Sequence, residues 1–384
     1  MAARDKAPMS IAVGGLLAMA AGMGVGRFVY TPILPPMVEA LSLSKSQAGL
    51  IASANFIGYL AGALFAAMRL AGGRRAWLLG ALAANTLCLA AMGWATSMPA
   101  FLALRLMAGV ASAFILVLSS ALVLDRLAAS GRGALSAVHF AGVGAGIAVS
   151  AALVSMLSEW QAMWFASAAL TAVAGMAIAF LIDADPATTD VATEATPRTV
   201  SRAFAALLAA YGLFGFGYVI TATFIVAIVR GSAEIAALEP YIWAMFGLSA
   251  VPSVALWTWL GRKWGTCRAF AVASAVEAAG VAAGAVWLSA IGIVLSSVFV
   301  GGTFMGLTAL GLIAAREEGS GDQRGRLALM TASFGAGQIL GPVFAGYVYD
   351  RFGGFMLPLL VAALALLAAG ALAIRSSAAL RSPA

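Results

Sequence analysis

The sequence has few charged residues and few of the residue types that bind metals or cofactors. Only 10% of the 384 residues are charged, and there are one histidine, two cysteines and three lysines. One histidine and two distant cysteines, Cys88 and Cys267, provide no expected zinc site and no expected disulfide. The sequence has no Gly-Lys pair, which excludes ATP hydrolysis by a Walker phosphate loop. We therefore expect neither a metal nor a cofactor.

Apolar residues take the place of the missing charges. They make up 63% of the chain, above the share of about 50% that is typical of soluble domains. Runs of about 20 apolar residues are long enough to cross a bilayer, and the pattern predicts an all-α membrane protein with twelve transmembrane helices. We call these helices spans 1 to 12. Their approximate limits are 10–37, 46–68, 76–96, 99–124, 134–157, 161–182, 203–229, 238–260, 268–289, 291–314, 327–348 and 355–374.

Two short motifs occur in both halves of the chain at nearly the same spacing, about 190 residues apart. They are Leu16-Leu17-Ala18 with Gly24-Val25-Gly26, repeated as Leu207-Leu208-Ala209 with Gly215-Phe216-Gly217, and Arg69 with Gly72 and Arg75, repeated as Arg262 with Gly265 and Arg268. The repeat predicts two parallel six-helix bundles, at 1–182 and 203–384, joined by a linker at 183–202. Because the first apolar run is copied in span 7, we interpret it as a span and not as a secretory signal peptide.

Basic residues lie mostly at alternate ends of the spans. The opposite set of loops contains only Lys45, Arg230 and Arg351. Because cytoplasmic loops retain lysine and arginine, both chain ends and the linker are predicted to be cytoplasmic, in a multi-pass membrane protein. The net charge of +7 is then a topology signal and not a nucleic-acid patch.

Two arginines are predicted to lie inside the spans. Arg27 is ~13 Å from the outer end of span 1, and Arg105 is ~9 Å from the outer end of span 4, at the rise of an α-helix. A charge in a bilayer costs about 3 kcal/mol or more. A functional interpretation is that both arginines attract an anionic or strongly polar substrate. The structural alternative is a hydrogen bond to a carbonyl or carboxylate, or snorkelling to the headgroups.

Aromatic residues surround the paired Gly-x-Gly motifs of spans 1 and 7. Their rings and hydroxyls could form a wall that contacts the substrate, although helix packing alone explains them equally well. The residues are Tyr30, Tyr211, Phe214 and Tyr218.

Two titratable side chains are candidates for proton coupling. His139, the only histidine, is predicted near the cytoplasmic end of span 5, and histidine titrates near physiological pH. Glu277 is the only carboxyl group deep in a span, and carboxyl groups that lose and regain a proton are common in proton-linked transport. A structural role remains the alternative for both residues.

Twelve spans in two parallel halves, with basic loops after spans 2 and 8, resemble the major facilitator superfamily. GVGRFVYTPILP at 24–35 and QAGLIASAN at 47–55 resemble its YbfB/YjiJ-type bacterial transporters, and Gly337 to Pro342 is similar to the Gly-x-x-x-Gly-Pro of antiporter helices. The first basic loop lacks the usual acidic residue, and span 5 lacks the Gly-Pro of drug antiporters.

The resemblance implies transport by alternating access, with spans 1, 4, 7 and 10 around a cavity between the halves. It implies that Arg27, Tyr30, Arg105, Tyr211 and Tyr218 face this cavity. It also implies that two loops take part in gating. These loops contain Arg69, Gly72 and Arg75, and Arg262, Gly265 and Arg268.

The resemblance implies a secondary active transporter of the bacterial inner membrane. The two arginines and the single deep carboxyl group favour a small organic anion as its substrate, coupled to protons. We expect the protein to work as a monomer in the bilayer, to bind no nucleic acid and not to be an enzyme, because no pair of a nucleophile and a base lies near an interface. The alternative is an antiporter that exports drugs or metabolites.

Overall fold

The computed structural model describes residues 7–66, 68, 71–183, 201–318 and 323–379, and these residues form helices and turns without a strand. We number the fourteen α-helices in chain order. They are α1 (Pro8–Met19), α2 (Tyr30–Leu41), α3 (Lys45–Ala66), α4 (Arg74–Met92), α5 (Met98–Ala129), α6 (Ser136–Ser155), α7 (Trp160–Leu181), α8 (Arg202–Arg230), α9 (Glu239–Ala250), α10 (Ser253–Trp264), α11 (Thr266–Val286), α12 (Ala290–Glu317), α13 (Gln323–Phe352) and α14 (Met356–Ala379).

Eleven stretches of the described residues are long and apolar enough to cross a membrane. Span 1 contains α1 and α2, spans 2 to 7 are α3 to α8, and spans 9 to 12 are α11 to α14. The helices α9 and α10 meet at a bend of 41° and together form span 8, at a break that contains Pro252. The prediction of an all-α membrane protein with twelve transmembrane helices is confirmed. The predicted boundary between the halves stays a prediction, because 184–200 lie outside the described residues.

The repeat appears in the backbone at matching positions of the two halves. Gly72 precedes span 3 with φ 94°, and Gly265 precedes span 9 with φ 91°. Residues with a Cβ rarely adopt this conformation, which explains glycine at both turns. Helix packing repeats too, because a side chain at Gly142 would collide with the carbonyl of Leu16, and one at Gly337 with that of Gly212.

The loops predicted to take part in gating lie at one end of the bundle, which we call the basic end. Arg75 ties the start of span 3 to the end of span 6, since Nε donates to the Ile182 carbonyl at 2.7 Å and Nη2 to the Ala179 carbonyl at 2.6 Å. Arg262 and Arg268 are exposed, whereas Arg69 lies outside the described residues. The gating role of these loops stays a prediction.

The two halves contact each other mainly through three pairs of helices, and α6 also touches α10. The three pairs are α2 against α8, α3 against α13, and α6 against α9. One large apolar core runs through both halves. The space between the halves is therefore enclosed by helices of both repeats.

Candidate functional site

A cavity of about 460 Å³ lies between the two halves. The four spans named by the resemblance, spans 1, 4, 7 and 10, all contribute to its lining, together with spans 2, 5, 8 and 11. The lining reaches the exposed Arg316 at the basic end. The cavity is large enough for a small organic molecule.

The opposite end of the bundle is closed by contacts between the halves. Arg230 at the end of span 7 pairs with Glu39 of span 1 at 2.7 Å and with Glu239 of span 8 at 3.1 Å. Asp350 of span 11 accepts hydrogen bonds from the backbone N–H groups of Lys45 and Ser46 at 3.1 and 2.8 Å. These two residues begin α3, where an anion is favoured by the helix dipole. These contacts join the halves at the end opposite to the one that the cavity lining reaches through Arg316.

Span 1 is not a continuous α-helix beside the cavity. A π-helical segment, Ala20–Val25, follows α1 and is succeeded by turn residues 26–29. Pro32 has no N–H for the carbonyl of Phe28, which instead accepts from the N–H of Thr31 at 3.2 Å. This shift leaves the carbonyls of Gly26 and Arg27 without their usual partners in the helix.

Arg105 supplies the missing donors. Its Nη2 donates to the Arg27 carbonyl at 3.1 Å, and its Nη1 lies 3.5 Å from the Gly26 carbonyl. Its guanidinium lies 5.0 Å from the ring centre of Tyr30, whose hydroxyl donates to the Ala48 carbonyl at 2.9 Å. Arg105 and Tyr30 therefore lie behind the cavity wall and do not line the cavity. Their predicted contact with a substrate is untested, and their present partners are backbone carbonyls.

Arg27 lines the cavity itself. Its guanidinium lies 4.2 Å from the ring centre of Tyr59, 4.6 Å from that of Phe56 and 5.4 Å from that of Phe28. Its Nε and Nη2 have no hydrogen-bond partner. Among the described residues, no carboxylate forms an ion pair with Arg27 or Arg105. The wall of the cavity therefore carries a positive charge that is packed on aromatic rings and has no carboxylate partner among the described residues.

The second half contributes a wall of aromatic rings. Tyr218 lies nearly parallel to Phe334 and Phe304, with interplanar angles of 3° and 14° and ring centres 5.9 and 5.6 Å apart. Tyr211 continues the stack at 4.9 Å from Phe334. Tyr211, Tyr218, Phe304 and Phe334 line the cavity, whereas Phe214 does not. Phe214 is fully buried and stacks behind Tyr218 at 5.2 Å.

Gln338 is a cavity residue that sequence reasoning missed. Its Nε2 contacts the Tyr218 hydroxyl, and its Oε1 has no hydrogen-bond partner, although the side chain is fully buried. Gln338 lies in the Gly337 to Pro342 motif, whose similarity to antiporter helices depends on its glycines and proline. A polar side chain in an apolar span was the available signal, because such a group needs a partner.

His139 is buried one layer behind the cavity. Its Nε2 lies 3.1 Å from the Ser120 hydroxyl, and Ser120 lines the cavity. Its Nδ1 faces the backbone of Gly15, where an added Cβ would lie 2.5 Å from this nitrogen. A single hydroxyl therefore connects the imidazole to the cavity.

Glu277 is fully buried in the second half, and neither oxygen has a hydrogen-bond partner. The hydroxyl of Thr303 on α12 lies close to it but donates to the Phe299 carbonyl at 2.6 Å. Glu277 does not line the cavity. The structure thus places the two proton-coupling candidates in different halves, and their role stays a prediction.

Twelve spans around a cavity that is closed at one end define a multi-pass membrane transporter of the major facilitator type. The chain belongs to the family described as uncharacterised MFS-type transporter YbfB, whose family model matches residues 19–374. The family and fold make it a secondary transporter. Comparison with curated proteins gives no match.

Solved structures share the fold at low sequence identity. A bacterial homologue of the human lysosomal transporter Spinster, in an inward-facing and unoccupied conformation, has a TM-score of 0.76 at 14% identity, with all of both chains covered. The nucleoside transporter NupG has a TM-score of 0.71 at 16% identity over 98% of this chain and 99% of that chain. A variant of NupG gives 0.74 at 15% identity over 98% and 100%.

Proposed function

We propose that this secondary transporter moves a small organic anion, coupled to protons, across the bacterial inner membrane. The observation that carries the proposal is the positive charge of Arg27 at the cavity wall, which has no carboxylate partner among the described residues. Arg105 places a second guanidinium behind it, and a space of about 10 Å³ between the two has room for about one water molecule.

An anionic substrate would supply the missing counter-charge. A buried charge without a counter-charge is costly in a bilayer. The Nε and Nη2 of Arg27 are buried and have no hydrogen-bond partner, and together they have the planar fork geometry that suits a carboxylate. No acidic side chain lines the cavity among the described residues. A cationic drug would find no counter-charge in this cavity. Export of such drugs is therefore the alternative, and a binding experiment can distinguish it from transport of an anion.

The proposed orientation follows from the basic loops. With both chain ends cytoplasmic, the basic end faces the cytoplasm, and the cavity belongs to an inward-facing state of a monomer. His139, through Ser120, and Glu277 are the proposed proton-coupling groups. The nucleoside transporter shares the fold only, so a nucleoside serves here as a control ligand.

Binding to the purified protein in lipid nanodiscs tests the anion. A panel of carboxylates, uridine and cationic dyes is compared on the parent protein, Arg27→Lys and Arg27→Gln. We expect a carboxylate to bind best and to lose about 2 kcal/mol or more in Arg27→Gln. Arg27→Lys keeps the charge but loses the fork, so an intermediate loss is expected.

Arg74→Gln is the matched control, because Arg74 pairs with Asp125 at 3.3 Å and does not line the cavity. It should bind every ligand like the parent protein. If a cation or uridine binds best, or if both Arg27 variants bind the carboxylate unchanged, the anion proposal is wrong.

A further inference from the structure

We infer that the anion taken by this cavity carries its carboxylate on a flat aromatic ring system, which stacks on the wall formed by Tyr211, Tyr218, Phe304 and Phe334. This inference rests on the proposed function and names the substrate class of the same site. Two features of the cavity point to it. They are the common orientation of the rings and their position relative to Arg27.

The wall consists of rings that lie nearly parallel. The ring planes of Phe304 and Phe334 are tilted by 14° and 3° from that of Tyr218. The ring plane of Tyr211 is tilted by 26° from that of Phe334. Aromatic pairs gain energy beyond buried area when they stack with an offset. A flat ring in the cavity can extend this stack, whereas a saturated ring of similar size can only contribute buried area.

The cation and the ring wall are adjacent. Phe28 follows Arg27 in the chain and meets Phe304 edge to face, with ring centres 5.9 Å apart at 78°. Phe28 also lines the cavity. One ligand can therefore place its carboxylate at Arg27 and its ring system against Tyr218 and Phe334 without bridging a gap.

The Arg27 guanidinium is itself packed on aromatic rings. Tyr59 and Phe56 lie 4.2 and 4.6 Å from its central carbon, and this packing fixes the plane of the fork. A fixed fork loses less conformational freedom on binding than a mobile one. The first half therefore offers an oriented anion site, and the second half offers the surface for the ring.

Gln338 adds a polar contact at the ring wall. Its Oε1 has no partner and its side chain is fully buried beside Tyr218. A buried acceptor without a donor is costly, and a hydroxyl or amino substituent on the ring would satisfy it. We therefore expect the site to favour ring systems that carry such a donor.

Three matched probes separate charge from flatness. 2-Naphthoate is flat and anionic, decahydro-2-naphthoate is anionic but not flat, and 2-naphthamide is flat but neutral. Isothermal titration calorimetry on the full-length protein in nanodiscs measures all three. We expect 2-naphthoate to bind about threefold to tenfold more tightly than decahydro-2-naphthoate. We also expect its affinity to exceed that of 2-naphthamide by about tenfold or more.

Variants of the wall test the stacking directly. Phe334→Leu should reduce the preference for 2-naphthoate over decahydro-2-naphthoate to less than about twofold. Phe344 lies on the same helix but outside the cavity lining, so Phe344→Leu should leave this preference unchanged. 6-Hydroxy-2-naphthoate should bind more tightly than 2-naphthoate to the parent protein. It should lose that advantage in Gln338→Leu.

The outcomes separate this inference from the proposed function. If 2-naphthoate and decahydro-2-naphthoate bind equally tightly, and both bind more weakly to Arg27→Gln, the proposal of an organic anion is supported and the inference of an aromatic substrate is wrong. If the amide binds as tightly as 2-naphthoate, or Arg27→Gln binds all three probes unchanged, both are wrong. If 2-naphthoate fails to bind the parent protein at about 1 mM, the aromatic class is also overturned.

Discussion

Arg105 donates from Nη2 to the backbone carbonyl of Arg27 at 3.1 Å, so one buried arginine holds the chain segment that presents the other. The two side chains are 78 residues apart in sequence and have different surroundings. Arg105 faces the carbonyls that the broken helix releases, whereas Arg27 faces the cavity. Substitutions at the two positions should therefore have different consequences.

The first prediction concerns stability. Arg105→Met should lower the Tm of the purified protein by about 5 to 10 °C, because two buried carbonyls lose their donors at a cost of about 1–3 kcal/mol each. Arg105→Lys should recover part of the loss. Arg74→Met removes an exposed ion pair and should change the Tm by about 2 °C or less. An unchanged Tm in Arg105→Met, together with lost anion binding, would instead assign Arg105 to the substrate.

The helices and their pairing could be predicted because the physical constraints on them are local or periodic. Apolar runs of bilayer length leave few alternatives to a transmembrane helix, and the sequence repeat pairs Gly72 with Gly265, which have similar φ angles. The bend at Val251 and Pro252 is also signalled by the proline. These features depend on composition and spacing, which the sequence contains.

The candidate site could be predicted only in part, because it depends on contacts between distant spans. Glycines and prolines indicate a weak helix in span 1, but the carbonyls that it releases are known only once Arg105 packs against them. Tyr30 and Phe214 lie near the right motifs yet do not line the cavity. Phe334 and Gln338 do line it, on a span that the resemblance does not place at the cavity.

The second prediction is the membrane topology. In a background with Cys88 and Cys267 replaced by serine, Ser130→Cys should react with a membrane-impermeant reagent only from the cytoplasm, because Ser130 is an exposed residue at the basic end. Ala233→Cys, exposed between α8 and α9, should react only from the periplasm. The reverse pattern in intact cells and inverted vesicles would reject the proposed orientation.

The third prediction tests proton coupling at both candidates. Glu277→Gln combined with His139→Asn should abolish accumulation of substrate driven by a pH gradient but preserve exchange, because both candidate coupling groups lose the ability to bind and release a proton while a polar side chain stays at each position. Proteoliposomes with an imposed gradient measure both activities. Gradient-driven accumulation equal to that of the parent protein would remove both residues as coupling groups.

The fourth prediction uses the glycine that contacts His139. Gly15→Ala places a Cβ 2.5 Å from the present position of Nδ1, so the imidazole must shift, and its 3.1 Å contact with Ser120 should be disturbed. If His139 couples protons, this variant should lose gradient-driven accumulation as His139→Asn does. Gly80→Ala is the matched control, because its Cβ would meet nothing within 4 Å. If Gly15→Ala shifts the imidazole but keeps normal gradient-driven accumulation, a proton path from His139 through Ser120 is contradicted.

The last prediction concerns the closed end of the bundle. Asp350 holds the first N–H groups of α3 across the boundary between the halves, and such a contact at an exposed helix terminus contributes about 0.3–1 kcal/mol. Asp350→Asn should therefore shift the population toward the state that is open at this end. Labelling of Thr223→Cys, which lies in the small space next to Arg27, should then become about twofold to fivefold faster from the periplasm.

Asp125→Asn provides the control for this shift, because Asp125 pairs with Arg74 inside the first half and does not join the halves. It should leave the labelling rate unchanged. Adding Arg230→Gln should increase the rate further, since it removes the ion pair to Glu39 across the same boundary, and high salt should weaken this second effect. Equal labelling rates in the parent protein, Asp350→Asn and the double variant would show that these contacts do not control opening.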